Sequence, residues 1–126
     1  MNIPFSVKTR AGTHRGELFP CDVSNEIWLA MPMDLKANML GSMIFCDMPV
    51  ESDIEGERVT DLEIGDVAYW PNASALCLFF GPTPLSGEDG KPVSPYPVVK
   101  IGRMLGDCSG LENTGDGTTI SFSKDL

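Results

Sequence analysis

The chain has 126 residues, with 18 Asp and Glu against 9 Lys and Arg and a net charge of −9. This acidic excess argues against nucleic acid and anionic membranes as partners, because both are bound by neutralising phosphates with Lys and Arg. The single histidine excludes a multi-histidine zinc site. The length fits one domain, residues 1–126, and a hydrophobic content of 42% is typical of a folded protein.

Alternating apolar and polar residues predict mostly short strands. Residues 5–10 and 15–19 are expected to form a hairpin around a turn at 11–14 that contains His14. A helix follows, capped by Asp22 or Ser24 and ended by Pro32. Eight strands and one helix predict an all-β, mainly antiparallel fold that closes into a barrel, with an open sandwich as the alternative. The remaining six strands are predicted at 34–39, 42–46, 67–70, 75–80, 98–104 and 118–123.

Two segments between these strands stand out by composition. Residues 47–66 carry eight acidic side chains and one Arg, which predicts a solvated loop of mutually repelling charges. Their order departs from the calcium-loop pattern. Residues 82–97 contain five prolines, which remove backbone donors and fix φ. We therefore expect an ordered, irregular segment there rather than a strand.

The four cysteines, at 21, 46, 77 and 108, include no C-x-x-C pair, so neither a zinc site nor a thioredoxin-type motif is predicted. Cys46 and Cys77 lie in apolar runs and are expected to be buried thiols. No signal peptide is visible at the N-terminus, and the longest apolar run, 75–80, is far below the ~18 residues that a membrane span needs. These features predict a soluble, cytoplasmic protein without a cofactor or metal.

A long motif then points to a family. The run IGDVAYWP at 64–71 continues in ALCLFFGPTP at 75–84. It resembles the signature of a small, largely uncharacterised prokaryotic family with a cyclophilin-like barrel and no assigned activity. The stretch PVVKIGRMLG at 97–106 looks like the penultimate strand of that family, so the resemblance covers essentially the whole chain.

A weaker resemblance extends to the true cyclophilins, which are peptidyl-prolyl isomerases. It places Phe80 where they have the pocket phenylalanine, and Trp70 where they have a small residue. Their Phe-His-Arg run corresponds here to residues 34–39, DLKANM, which contain neither Arg nor His. The run that follows in isomerases is reduced at 41–45, and residues 92–97 supply neither their tryptophan nor their histidine. Since the loss of one transition-state donor costs about 10²–10³ in rate, ordinary isomerase activity is not expected.

The candidate binding residues lie on these strands. Neighbours on a strand face opposite sides, so we expect Phe79 in the core and Phe80 beside Trp70 on the floor of an aromatic cleft. The alternative is that these aromatic residues pack against the proline-rich segment. Asn72 is predicted in a turn, and the family resemblance implies that it borders the cleft. Lys36 and Asn38 lie on the strand that carries catalysis in cyclophilins, either as ligand contacts or facing solvent.

The expected function is binding of a small molecule or an extended peptide in this aromatic groove, without isomerase activity. A weak or altered prolyl isomerase is one alternative, and an oligomerisation module built on the apolar surface around Trp70 is another. No catalytic residue is predicted. A catalytic His14 would need a nucleophile such as Ser42 or Cys46 beside it, and nothing in the sequence pairs them.

Overall fold

The computed structural model describes residues 1–125. That range contains ten β-strands, one α-helix and one 3-10 helix. Strand formation dominates because the chain alternates apolar and polar residues over short stretches punctuated by glycine and proline. In chain order the elements are β1 Ile3–Thr9, β2 Gly12–Leu18, α1 Asp22–Ala30, β3 Met33–Lys36, β4 Asn38–Leu40, β5 Met43–Asp47, β6 Val59–Asp61, β7 Asp66–Trp70, β8 Ala75–Phe79, β9 Val93–Met104, the 3-10 helix Ser109–Asn113 and β10 Thr119–Lys124.

The strands form one sheet in the order β3-β10-β1-β2-β9-β7-β8-β5-β4, and β6 pairs with β9 off this path. Every strand pair is antiparallel, which confirms the mainly antiparallel all-β class. Across residues 1–125 no hydrogen-bonded ladder joins the end strands β3 and β4, so the predicted closed barrel is not confirmed. Ala37 lies between these two strands in the sequence. Its N–H donates to the carbonyl of Thr118 at 2.8 Å, and its carbonyl accepts from the N–H of Gly117 at 2.7 Å.

The first hairpin is tighter than predicted. Only Arg10 and Ala11 form the turn, because Gly12, at a φ of +125°, already pairs with Thr9. The prediction that His14 lies in the turn is therefore wrong. His14 lies inside β2 and pairs with Val7 of β1.

The helix lies where the sequence predicts it, but its cap is different. Cys21 is the N-cap, and its sulfur accepts a hydrogen bond from the backbone N–H of Ser24 at 3.5 Å. Ser24 is itself buried, beneath the first turn. The helix ends at Ala30, and Pro32 follows the C-cap residue, as predicted.

Both segments predicted as irregular contain strand. The acidic segment includes β6, and the proline-rich segment supplies the first five residues of β9. The two strands pair through Val59–Val98 and Asp61–Val93, with a shift of register between these pairs. Proline is tolerated at such irregular positions because no ladder hydrogen bond is required of its nitrogen. The predicted strand at 34–39 is divided between β3 and β4.

The sheet buries apolar side chains on both faces, in two separate clusters. Along β8, Leu76 and Leu78 join the larger inner cluster, whereas Cys77 and Phe79 join a smaller outer cluster. The inner cluster also contains Phe5, Val7, Ile27, Ile44, Tyr69, Phe80, Ile120 and Phe122. The outer cluster comprises Met43, Leu62, Ala68, Cys77, Phe79 and Val98, with Leu40, Phe45, Val59 and Trp70 partly buried around it. No helix in the described chain is long and apolar enough to span a membrane.

Candidate functional site

Three aromatic rings lie together at the edge of the outer cluster, and we call them the aromatic triad. Tyr96 stacks on Trp70 with ring centroids 4.6 Å apart and an interplanar angle of 12°. Phe45 meets Trp70 edge to face, with centroids 6.2 Å apart and an angle of 71°. Tyr96 remains 51% exposed, so the stack presents an aromatic surface to solvent.

Local structure fixes the position of each ring. Trp70 is the last residue of β7 and points outward with Ala68, while Phe45 on β5 is paired with Cys77 on β8. Tyr96 lies between two prolines, whose fixed φ angles limit the freedom of the backbone there. The buried Ser94 hydroxyl also donates to the carbonyl of Tyr96 and accepts from its N–H, the latter at 3.3 Å. The exposed ring is therefore held on an ordered backbone.

Phe80 does not belong to this site, contrary to the sequence prediction. It is 5% exposed and packs in the inner cluster, whereas Phe79 faces the outer cluster. The assignment was reversed because residues 75–80 are all buried, so the sequence carries no polar residue that would mark one face as outward. The sequence analysis left open the alternative that these aromatic residues pack against the proline-rich segment. Trp70 does so, because Tyr96 of that segment stacks on it.

The predicted polar residues lie at different distances from the triad along the sheet. Asn38 is paired with Phe45 on the outer face, and its side-chain amide donates to the Phe45 carbonyl at 3.1 Å. Lys36 is exposed beyond it and pairs with Thr119 on β10. Asn72 is exposed in the turn that follows Trp70, a turn in which Ser74 adopts a positive φ of 51°. The structure thus brings Asn38 and Asn72 near the triad and leaves Lys36 further along the same face.

Sequence reasoning missed Phe45 and Tyr96. A signal for both was present, because an uninterrupted apolar strand such as β8 must be covered on its outer face by other apolar residues. Tyr96 is the aromatic residue of the proline-rich segment and lies on β9. Phe45 lies in an apolar run on β5, four strands earlier in the chain. Neither residue could be connected to Trp70 without knowledge of the strand order.

One polar atom of the triad is buried without a partner. The indole Nε1 of Trp70 has no hydrogen-bond acceptor among residues 1–125, a property it shares with Nε1 of Trp28 and Nε2 of His14. A buried donor without an acceptor costs about 1–3 kcal/mol. Of these three groups, only that of Trp70 lies beside an exposed aromatic surface that also includes a second ring from another strand.

The thiols beneath the sheet surface are unreactive. All four cysteines are free, and Cys46 and Cys77 are buried as predicted. Burial, and secondarily the charge of Asp47, raises the pKa of the Cys46 thiol to about 12. Burial raises the pKa of Cys77 as well, so neither supplies a thiolate near neutral pH.

The chemistry that the triad itself offers is contact and stacking. Residues 33–47, which form β3 to β5, contain neither Arg nor His. In the described part of the chain, His, Cys, Asp and Glu form no group of three that could hold a metal ion. What the triad offers is a flat aromatic surface beside the amide of Asn38, with Asn72 exposed in the turn that follows Trp70.

Comparison with known proteins places the chain in a family. A solution structure of a hypothetical protein from Archaeoglobus fulgidus matches with a TM-score of 0.77 and 29% sequence identity, covering 98% of this chain and 95% of that one. No curated protein matches significantly. The family model described as cyclophilin-like matches residues 1–123. The chain, as its motifs indicated, belongs to the cyclophilin-like family.

Proposed function

We propose that this protein binds a small molecule or an extended peptide on the aromatic triad, and that it does so without prolyl isomerase activity. The observation that carries the proposal is the Trp70–Tyr96 stack, in which an ordered ring remains half exposed above a partly buried indole. Aromatic residues that are exposed on an ordered backbone are enriched at binding surfaces.

The energetics of the site favour a ligand with a flat or cyclic apolar part. Trp and Tyr provide a large contact area with few rotatable bonds, so little conformational entropy is lost when a partner stacks on them. A ligand that displaces the Tyr96 ring could also present a carbonyl oxygen to Nε1 of Trp70, which has no acceptor within residues 1–125. The amides of Asn38 and Asn72 supply polar contacts at the border.

The residues that correspond to the catalytic run of cyclophilins include neither arginine nor histidine. In cyclophilins an arginine hydrogen-bonds the substrate around the prolyl amide, but the corresponding residues 34–39 read DLKANM. Lys36 is the cation of this stretch, and its point charge does not reproduce the planar fork of an arginine. Binding without catalysis is therefore the function that this arrangement supports best.

The test uses the fluorescence of Trp70. Trp28→Phe removes the second tryptophan, which lies beneath Lys124 against the inner cluster, and leaves Trp70 as the reporter. We expect proline-containing peptides or members of a metabolite library to change this emission with saturation. A ligand that stacks on the exposed side of Tyr96 should bind Tyr96→Ala about two- to tenfold more weakly, because one stacking ring is lost, whereas a ligand that displaces Tyr96 should bind this variant more tightly. Leu29→Ala, at a 71% exposed position on the helix, is the control and should change nothing.

Two outcomes would contradict the proposal. The first is that no compound perturbs Trp70 and that Trp70→Ala leaves every binding signal unchanged. The second concerns catalysis and uses a protease-coupled assay on a proline tetrapeptide. A rate above the uncatalysed one that is lost in Lys36→Ala would establish the isomerase alternative.

A further inference from the structure

A groove lies between the start of α1, residues 53–57 and β9. Its floor is apolar and is formed by Phe19, Ile54, Val59, Val99 and Ile101 around a cavity of about 330 Å³. It continues into a second cavity of about 480 Å³, which shares Cys21, Ile54 and Glu55 with the first. These volumes lie in the range of small-molecule sites. None of the aromatic triad lines either cavity.

The acidic wall of this groove is a built structure. Arg58 folds back and donates to the carbonyls of Ile54 at 3.1 Å and Gly56 at 3.3 Å, which ties residues 54–58 into a compact turn. Gly56, at a φ of +141°, brings this backbone against β9: a Cβ there would lie 2.9 Å from Cγ1 of Val99. The wall is thus fixed by contacts of its own and not only by the strands beside it.

The charges at the rim are unbalanced. Asp22, Asp53, Glu55 and Glu57 are all exposed, and none of them forms an ion pair within residues 1–125. Two cations lie nearby. Lys100 lines the first cavity and pairs with Asp66 at 3.2 Å, whereas Arg58 donates to backbone carbonyls and keeps its charge. The four carboxylates outnumber Arg58, so the rim is negative overall. An apolar floor under a net negative rim is complementary to a ligand that is apolar and positively charged.

We infer that the groove binds small organic cations: an amine or guanidinium carried on an apolar body. The body lies over Val99 and Ile101, and the cation lies between Glu55 and Glu57. It does not lie at Asp22, because the N-terminus of α1 carries a partial positive charge that opposes a cation there. This site is independent of the function proposed for the aromatic triad.

The experiment compares three probes of one shape on the intact, ¹⁵N-labelled protein at neutral pH and low salt. They are 2-phenylethylamine, 2-phenylethanol and 3-phenylpropionate, followed by NMR through the backbone amides of Gly56, Val99 and Ile101. We expect the amine to bind in the millimolar range or tighter, about fivefold more tightly than the alcohol, and the carboxylate to bind least. Added salt should reduce the advantage of the amine.

A charge-matched pair of variants separates this groove from the general acidity of the protein. Glu55→Gln with Glu57→Gln should bring the affinity for the amine to within about twofold of that for the alcohol. Glu88→Gln with Glu112→Gln removes the same charge from exposed positions outside both cavities and should leave the amine unaffected. The inference would be overturned if the amine and the alcohol bound equally, or if millimolar amine caused no chemical-shift changes. It would also be overturned if those changes were confined to residues around Trp70, or if both double variants lost the same affinity for the amine.

Discussion

The two faces of the sheet bury apolar residues in different ways. The inner cluster draws on strands from all parts of the sheet and is also covered by Val23 and Ile27 of α1. The outer cluster has six buried members, and its covering elements are short: β6, Leu62 and the first residues of β9. Phe45 and Trp70 at its border are only partly buried.

This difference assigns separate roles to the two faces. A cluster covered on all sides contributes stability, because removing apolar area from water is the main force that favours the folded state. A cluster that is covered by one irregular strand and ends in an exposed ring contributes less stability per residue. It leaves an apolar surface that a partner can still bury. The proposed binding site therefore lies where the hydrophobic packing is incomplete.

The largest expected effect compares two Phe→Ala substitutions, one on each face. Phe80→Ala removes a ring that is 5% exposed from the inner cluster and should lower the free energy of unfolding by about 3–5 kcal/mol. Phe45→Ala removes a half-buried ring at the border of the outer cluster, and its effect should be about 1–2 kcal/mol. Urea denaturation of both variants measures the difference. An equal loss would show that the outer cluster is as important for stability as the inner one, which would break the comparison.

The sequence was sufficient to predict the mainly antiparallel all-β class, the helix and most strand positions, but not whether the sheet closes. Alternation of apolar and polar residues is strong in β1 and β10, where one face meets the inner cluster and the other is more exposed. It failed in the proline-rich segment, where Pro95 and Pro97 argued against a strand that nevertheless pairs with β6. The register of the β6–β9 pairing shifts at this point, so β9 forms despite its prolines. Such a shift depends on the partner strand and is not encoded in the local sequence.

The site was only partly predictable for a related reason. Trp70 was identified through its motif, and Asn38 through its place in the strand. The direction of Phe79 and Phe80 was not predictable, because a strand buried on both faces contains no polar residue that sets its phase. Tyr96 was not predictable because it meets Trp70 across the sheet, 26 residues away along the chain. Such a contact follows from strand order, not from periodicity.

The next prediction tests whether the centre of the outer cluster is as inaccessible as that of the inner one. Cys46 belongs to the inner cluster and Cys77 to the outer, and both are fully buried. With a pKa of about 12, only about 10⁻⁴ of the Cys46 thiol is ionised at pH 8, so its reaction with a disulfide reagent should be roughly a thousandfold slower than that of a free thiol. The raised pKa of Cys77 predicts at least equal protection.

Mass-spectrometric identification of the modified peptides over time measures both rates in one sample. Cys21, which is half-buried, provides the fast reference, and Cys21→Ser should abolish that phase alone. Faster modification of Cys77 than of Cys46 would show that the covering strands open over the outer cluster. The outer face would then be a mobile surface and not an incompletely covered core.

The smallest expected effect concerns the contact that defines the site. A double-mutant cycle of Trp70→Ala and Tyr96→Ala should give a coupling energy of about 0.5–1.5 kcal/mol, the usual value of an aromatic pair beyond its buried area. A control cycle of Trp28→Ala and Tyr96→Ala should be additive within about 0.5 kcal/mol, because Trp28 packs against the inner cluster whereas Tyr96 stacks on Trp70. A zero coupling for the first cycle would show that Tyr96 does not stabilise the face of Trp70 in solution.

The magnitude of the Trp70–Tyr96 coupling also limits ligand affinity. A ligand ring that replaces Tyr96 on Trp70 must first overcome this coupling, and each 1.4 kcal/mol costs about a factor of ten in affinity. A weak coupling would therefore favour binding by displacement of Tyr96, and a strong one would favour binding on its exposed side.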